Sequence, residues 1–424
     1  MLATRCLPRK EVFFFKMFSG VHIFRKLGFQ VLDQPIAAFQ ADKYKKHYKT
    51  SSEILTLVNM SIENADSLKD MIDALNADSL LRQAFGYVKP IQQSQLSRDL
   101  RQWDLGMFQQ ILQTLLELAK ARQVFNGLTH AELIQNLAGL DLTFLLGKQV
   151  VALDSTFKIL NPTTYPTVEY GYCTLTGRKE PGLKAHLALN VTVDAPIGLK
   201  VTSGAVHDST QFTALLSWVS RVLDPKEVIL TYDKAYYKID RFDELGKTGY
   251  WFVTPLKKNS LNRARILSFE EYSQDNIRVT DRVVRLNTGT NELRAVHLAN
   301  QATGEEFRLL TNVRDAEATT LQSLYEARWQ IEILFRAVKQ CFGLKTKRPI
   351  GRSLNAVMVQ IFCAIIAYLA LSIYRSLVFG GMTVFELKRQ IKYARKSSCQ
   401  ECHAGEWGRR CRDLNLTPME GNKF

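Results

Sequence analysis

Val357 to Ile373 is almost continuously apolar, with Gln360 as its main polar interruption. A helix of that composition has no polar face to offer water, so it must lie in a bilayer or at the centre of a large fold. Arg352 and Arg375 bracket the stretch and no second span accompanies it, which favours a buried helix of an α/β core and argues against a membrane segment. A chain of 424 residues with 46% hydrophobic content can supply such a core, and its length suggests two or three domains. Seven dispersed cysteines, an odd number, do not read as a secreted disulfide framework and fit a reducing cytoplasm. The run Val12 to Phe15 is too short for a signal-peptide core and is broken by Lys16.

Apolar residues recur at helical spacing from about 20 to 146, as in Ile54 to Ala65, Ser67 to Leu81 and Met107 to Gln123, and predict an all-helical N-terminal domain. Ser67 and Asp78 read as helix starts. Gly86 and Pro90 punctuate this region before SQLSRDLRQW, where two short helices form either a helix-turn-helix or part of a plain bundle. In the first case Ser94, Gln95, Ser97, Arg98 and Arg101 offer groove and phosphate contacts. The cluster Lys43, Lys45, Lys46, His47 and Lys49 reads as a solvated basic face that can add phosphate contacts.

The pattern changes at Gly147. VVAL is a short apolar run ending in Asp154, as expected of a buried strand that delivers a carboxylate at its end. Lys184 to Val193 alternates and pairs as a hairpin with Ile197 to Val206, followed by a helix over about 209–222. Val228 to Leu230 again drive an apolar strand into a carboxylate, Asp233, before the helical Tyr237 to Gly246 and the strand Tyr250 to Pro255. Residues 147–255 therefore read as the first part of an α/β core. Residues 256–312 read as a β-rich insertion that is strongly basic through Arg263, Arg265, Arg278, Arg282, Arg285 and Arg294, and 313–380 as the second part of the core, ending in the apolar helix. Residues 1–19 look like an extended start, and 381–424 a basic tail expected to be poorly ordered.

Tyr325, Arg328, Glu332 and Lys339 follow one another at offsets of 3, 4 and 7, which places them on one face of a single helix over about 316–342. Leu324, Ile331, Leu334, Phe335 and Val338 form its apolar side, and Trp329 is expected in the core. An acid among phosphate-seeking cations suggests metal-assisted work on a polyanion. Lys and Arg number 56 against 41 Asp and Glu, a formal charge of +15, which suits a nucleic-acid partner, with a membrane surface as the rival. Two strand-end aspartates and a helical glutamate are also the kit for holding divalent cations in an in-line phosphoryl displacement. Around them, at most one of Lys184 and His186 is expected at the cleft. His207 stands as a DNA contact or cap, Asp208 as the favoured helix cap, and Tyr236 as packing or as support for Asp233. Cys399, Cys402, His403 and Cys411 are poorly spaced for zinc, and Gly147-Lys148 lacks the rest of a Walker motif.

The order Asp154, Asp233, Tyr325-x2-Arg328-x3-Glu332-x6-Lys339 resembles the DDE transposases of insertion sequence family 4. VALDSTF, GLKAHLALN, VHDS at 206–209 and TYDKAYY support it, over roughly 148–378, with SLKDMIDAL and QSQLSRDL extending it toward the N-terminus. The resemblance implies a ribonuclease-H-like catalytic core with a β-strand insertion subdomain, preceded by the helical domain as a DNA-end-binding module. It implies that Asp154, Asp233 and Glu332 hold two Mg2+ ions, with Mn2+ as a substitute, and that Tyr325, Arg328 and Lys339 grip transposon-end phosphates. The implied reaction is cut-and-paste cleavage at inverted-repeat ends and transfer into target DNA through a hairpin intermediate, for which Phe307 and Trp251 are the aromatics on offer. A homodimer bridging two ends, acting at the nucleoid in a bacterial cytoplasm with no membrane, completes the expectation. The alternatives are an inactive or repurposed DNA-binding derivative and a metal-dependent nuclease that cuts without joining.

Overall fold

The apolar stretch at 357–373 forms the middle of a 25-residue helix whose most apolar window is 94% buried. In the computed structural model, residues 20–65, 67–124, 147–274, 276–341, 350–378 and 382–396 are described. The extended start, the cysteine-bearing tail with Cys399, Cys402, His403 and Cys411, and the last part of the expected helical domain lie outside the described residues. The chain divides into two compact units, one of residues 1–124 with 336–424 and one of residues 125–335.

The first unit is helical: α1 (20–27), α2 (Gln30–Ala38), α3 (Thr50–Glu63), α4 (Leu68–Ala77), α5 (Ser79–Ala84), α6 (Gln93–Gln102) and α7 (Leu105–Ala121) come from the N-terminal part. Ser67 and Asp78 cap α4 and α5, Ser67 Oγ accepting from the Asp70 amide and Asp78 Oδ1 from the amides of Leu80 and Leu81, as their residue types predict. The apolar helix Leu354–Val378, with a shorter helix Val384–Lys396 behind it, also belongs here. It packs against α3, α6, α7 and Val384–Lys396. Its lack of a polar side suits that surround, since neighbouring helices cover its faces. Asn355 Nδ2 ties its first turn to the Leu100 and Trp103 carbonyls at 3.0 Å each, and His22 Nε2 meets the Tyr374 hydroxyl at 3.1 Å.

Within this unit the basic cluster at 43–49 is not uniformly solvated. Lys45 Nζ turns inward to Asp99 at 3.0 Å and to Glu53, with only 14% of its side chain exposed. Burial, reinforced by the hydrogen bond with Asp99, pushes the Glu53 carboxyl up to about 8. Lys45 is therefore consumed internally, and Lys43, Lys46 and Lys49 remain as the outer charges, with His47 exposed among them.

The second unit is built on a ten-stranded mixed sheet. Its strands are β1 (Gln149–Ile159), β2 (Tyr170–Cys173), β3 (Arg178–Asn190), β4 (Ala195–Ser203), β5 (Val228–Tyr232), β6 (Trp251–Pro255), β7 (Arg265–Gln274), β8 (Ile277–Arg285), β9 (Glu292–Asn300) and β10 (Glu306–Thr311). β1, β5 and β6 run parallel, and β5 is buried along its whole length, as a central strand covered on both faces must be. The expected hairpin is β3 with β4, paired antiparallel, and β3 pairs in turn with β1. The helix Phe212–Val222 covers β3 and β4, and Gly198 lets it approach, since a Cβ there would meet the Trp218 side chain at 2.6 Å. The helix Ile239–Thr248 ends at Gly249, whose φ of 87° is the left-handed cap that returns the chain to β6. Strands β7 to β10 fall in the strand-rich 256–312 and continue the same sheet: β10 pairs antiparallel with β6 through Leu309 with Pro255, Leu310 with Thr254 and Thr311 with Val253.

Candidate active site

Leu153 of β1 and Tyr232 of β5 are the last parallel partners, so Asp154 and Asp233 follow in register where the two strands part. Asp233 ends β5, whereas β1 runs on to Ile159 paired with β3, so Asp154 lies mid-strand and not at the strand end its apolar run predicts. In open α/β sheets ligands gather beyond the carboxyl ends of parallel strands, and these two acids stand at that edge. Asp154 Oδ1 accepts from the Ser155 amide at 2.7 Å. Asp233 caps the short turn Lys234–Tyr236, its Oδ1 accepting from the Ala235 amide at 3.0 Å.

The third acid arrives from the segment expected to be one helix, but the structure breaks it. A helix Ala318–Glu326 and a helix Trp329–Cys341 meet at Ala327 and Arg328. There the amides of Arg328, Gln330 and Ile331 donate three residues back, to Tyr325, Ala327 and Arg328, at 3.0 to 3.1 Å. Bonds of that kind wind the chain more tightly than the α-helix assumed by a 100° wheel. Tyr325 thus ends the first helix, Arg328 occupies the joint, Glu332 lies in the first turn of the second and Lys339 in its last. Leu324, Ile331, Leu334, Phe335 and Val338 are buried as expected, whereas Trp329 is 49% exposed and is not a core residue.

The first helix packs against β5, β6, β9 and β10 and brings the joint over the acids. Arg328 Nη1 donates to Asp154 Oδ2 at 3.0 Å and its Nη2 to Glu332 Oε1 at 2.7 Å, so one guanidinium spans two of the three acids. Its Cζ lies 5.7 Å from the centre of the Tyr325 ring. Burial pushes the Asp154 carboxyl up to about 6; the Ser155 amide and Arg328 oppose that rise, and the charges of Asp233 and Glu332 add to it. The three acids therefore feel one another. Among the described residues, no three His, Cys, Asp or Glu side chains converge closely enough to hold a metal ion.

Beside Asp233 and Tyr325 opens a cleft of about 730 Å³, lined also by Lys234, Pro255, Leu256, Lys258, Glu306, Phe307, Arg308 and Leu309, with Arg308 paired to Glu306 at 3.0 Å. Its cations were not singled out from the sequence because they come from three separate segments. Phe307, the aromatic noted before the signature, is in this wall; Trp251 is not among the lining residues.

The flanking residues are arranged differently from expectation. Lys184 and His186, two apart on β3, share a face and both turn toward Asp208, because side chains alternate with a period of two. Lys184 Nζ donates to Asp208 Oδ1 at 3.1 Å and to the Val206 carbonyl at 3.0 Å. His186 is fully buried, with Nε2 2.9 Å from Thr202 Oγ1, and burial holds its imidazole down at about 4, so it is neutral at physiological pH. The cap of the turn Asp208–Gln211 is His207, whose Nδ1 accepts from the Ser209 amide at 3.2 Å; Asp208 is the ion-pair partner instead. Tyr236 is buried at 1% exposure among Phe212 and Tyr232, and the charges of Asp208, Asp154 and Asp233 add to the burial that raises its phenol. In the helical unit, Arg98 and Arg101 are exposed on α6, Arg98 donating to Gln95 Oε1 at 2.8 Å.

The family model described as the transposase DDE domain matches residues 145–370, just over half of the chain. A Geobacillus stearothermophilus protein named "Probable transposase for insertion sequence element IS5377" is 31% identical over 196 residues, 45% of this chain and 48% of that protein. A Sinorhizobium fredii protein named as transposase y4zB is 30% identical over 201 residues, 45% and 53% of the two chains. A third, from Synechocystis and named as a transposase for insertion sequence element IS4SA, is 24% identical over 323 residues, 74% and 80% of the two chains. The match thus spans about half the length of the first two relatives.

Proposed function

Because the chain belongs to the DDE-domain transposases of insertion sequences, we propose that it cleaves DNA at the ends of its element and joins those ends to target DNA by divalent-cation-dependent phosphoryl transfer. The observation that carries this reading is the placement of Asp154 and Asp233 in register on neighbouring strands, with Glu332 from a separate helix tied to Asp154 through one guanidinium, beside a cleft that carries Lys234 and Lys258. Five strands in the order β4, β3, β1, β5, β6, mixed in direction and carrying the aspartates on adjacent members, support a ribonuclease-H-like core with β7 to β10 as its insertion. Residues 20–146 serve as the end-binding part, with Arg98 and Arg101 as phosphate contacts.

The donor set fits a hard divalent cation by chemistry: three carboxylates, with no thiolate or imidazole among them, suit Mg2+ or Mn2+. Asp154, Asp233 and Glu332 would hold two such ions. Bound there, a divalent cation supplies activation of a water or hydroxyl and stabilisation of the leaving oxygen. The chain's own residues do the rest. Tyr325 donates its hydroxyl to an end phosphate, Arg328 offers a planar two-donor grip and Lys339 a point charge. Lys234 and Lys258 draw the backbone into the cleft, while Phe307 offers a face on which a displaced base can stack in a hairpin route. Lys184 holds Asp208 and thereby the turn behind Tyr236. Two copies bridging two ends complete the proposed assembly.

Purified protein incubated with a duplex carrying the element's inverted repeat should nick and join it only with Mg2+ or Mn2+. Glu332→Gln should abolish nicking and leave band-shift binding intact. Cleavage that persists in chelator overturns the reading.

A further inference from the structure

Arg328 is ordinarily the residue one would give to the DNA, yet in the structure its donors are spent on the acids. Both terminal nitrogens are engaged, at 3.0 Å on Asp154 and 2.7 Å on Glu332, and only 15% of the side chain is exposed. Its Nε is buried without a hydrogen-bond partner and the Tyr325 ring lies 5.7 Å from its Cζ, so among the described residues its hydrogen bonds go to the two carboxylates. Each acid gives an oxygen to this contact, and the three acids do not converge on a common point among the described residues. An arginine cannot give up its charge at any accessible pH, so the carboxylates are released only when the whole group moves. A phosphate offers the same planar, doubly bonded match as a carboxylate.

We propose that Arg328 is an internal counter-ion that closes the carboxylate site to divalent cations until a DNA phosphate draws it away, so that cation binding and DNA binding reinforce each other. This rests on the metal-dependent reading above. The joint between the two helices suits the movement, because Arg328 lies outside both α-helical ladders and can change its own torsions without unwinding either. With the guanidinium on the acids, a stray cation finds no open site, and the chain is held inactive away from DNA. With it on a phosphate, Asp154 and Glu332 regain their free oxygens beside Asp233.

The test is calorimetric titration of Mn2+ into the full chain without DNA, for the wild type, Arg328→Leu, Arg328→Lys and Arg328→Leu with Glu332→Gln. Arg328→Leu should bind Mn2+ roughly tenfold to a hundredfold more tightly than the wild type, the usual span of a coupling between sites. Arg328→Lys should fall between, since an ammonium satisfies one carboxylate at a time, and adding Glu332→Gln should remove the gain. Circular dichroism establishes that the variants fold. Should Arg328→Leu not fold, linkage supplies a second measurement on the wild type: Mn2+ at fixed ionic strength must tighten binding of a fluorescent duplex oligonucleotide. Mn2+ affinity that depends on Glu332 but is unchanged or weaker in Arg328→Leu overturns the lock and leaves the metal reading standing. Mn2+ binding insensitive to Asp154→Asn and Glu332→Gln, with and without the duplex, overturns both.

Discussion

A guanidinium at 8% exposure must be satisfied inside the fold, and Arg241 meets that demand on backbone carbonyls. It donates to Ser209 O at 2.8 Å and to Tyr236 O, and its Cζ lies 4.0 Å from the centre of the Phe212 ring. It therefore ties the turn after Asp208 to the turn that Asp233 caps. Arg241→Met keeps the stem but strands both carbonyls, and should cost about 2–3 kcal/mol in urea denaturation, the range for a hydrogen bond to a charged group. Its importance is invisible in the sequence, where an arginine in a polar helix looks like a surface residue. Glu53 gives a second, titratable case. Its folded carboxyl prefers its proton, so its contribution to stability is full below the ordinary value near 4.5 and is lost as the pH rises through about 8. The melting temperature of the wild type should accordingly fall between about pH 5 and pH 9, each unit of difference between folded and unfolded values being worth about 1.4 kcal/mol. Glu53→Gln should flatten that fall; an equal slope in the variant would refute the assignment.

Elements show which kinds of information a linear chain carries. The strand-end position of Asp233 was legible because a buried parallel strand is a short apolar run that ends where the chain emerges. The run before Asp154 marks only where the pairing with β5 stops, and β1 continues to Ile159 against β3, a cross-strand partner the run does not show. The buried side of the 324–338 segment was legible from its spacing. The break at Arg328 was not, because three-residue and four-residue backbone bonds leave the same apolar pattern over so short a distance. The location of the helix Leu354–Val378 was also hidden: its composition demands burial but does not say among which neighbours. Ile366, at its middle and fully buried, tests that placement. Ile366→Ala should destabilise by about 2–5 kcal/mol. By fluorescence or hydrogen exchange the loss should appear in the helical unit, including α3 and α7, ahead of the strands β1 and β5. Loss of protection in β1 and β5 ahead of α3 and α7 would overturn that placement.

At the scale of the molecule, a count of 56 lysines and arginines overstates what a polyanion can use. Lys45 is committed to Asp99 and Glu53. In the strands β7 to β9, Arg294 is only 12% exposed and held by Asp281, Arg278 by Glu271 and Arg285 by Glu292, which also holds Arg314 beyond β10. Arginines that looked alike as a basic run are thus divided between internal pairs and outward charges, a division made by cross-strand neighbours many residues away. Salt titration distinguishes them, because each phosphate contact made by an outward cation releases condensed counterions and adds about 0.9 to the slope of log affinity against log salt, while a cation already paired within the fold adds little. Arg98 is exposed and bonded only to the neutral Gln95, so Arg98→Ala should weaken duplex binding and reduce the slope by about 1. Arg294→Ala removes the same formal charge and should leave the slope unchanged while costing stability, since it strands Asp281 and the carbonyls of Arg314 and Ala316. If both variants lowered the slope equally, net charge alone would govern binding and the internal pairing of the insertion's arginines would be irrelevant to it.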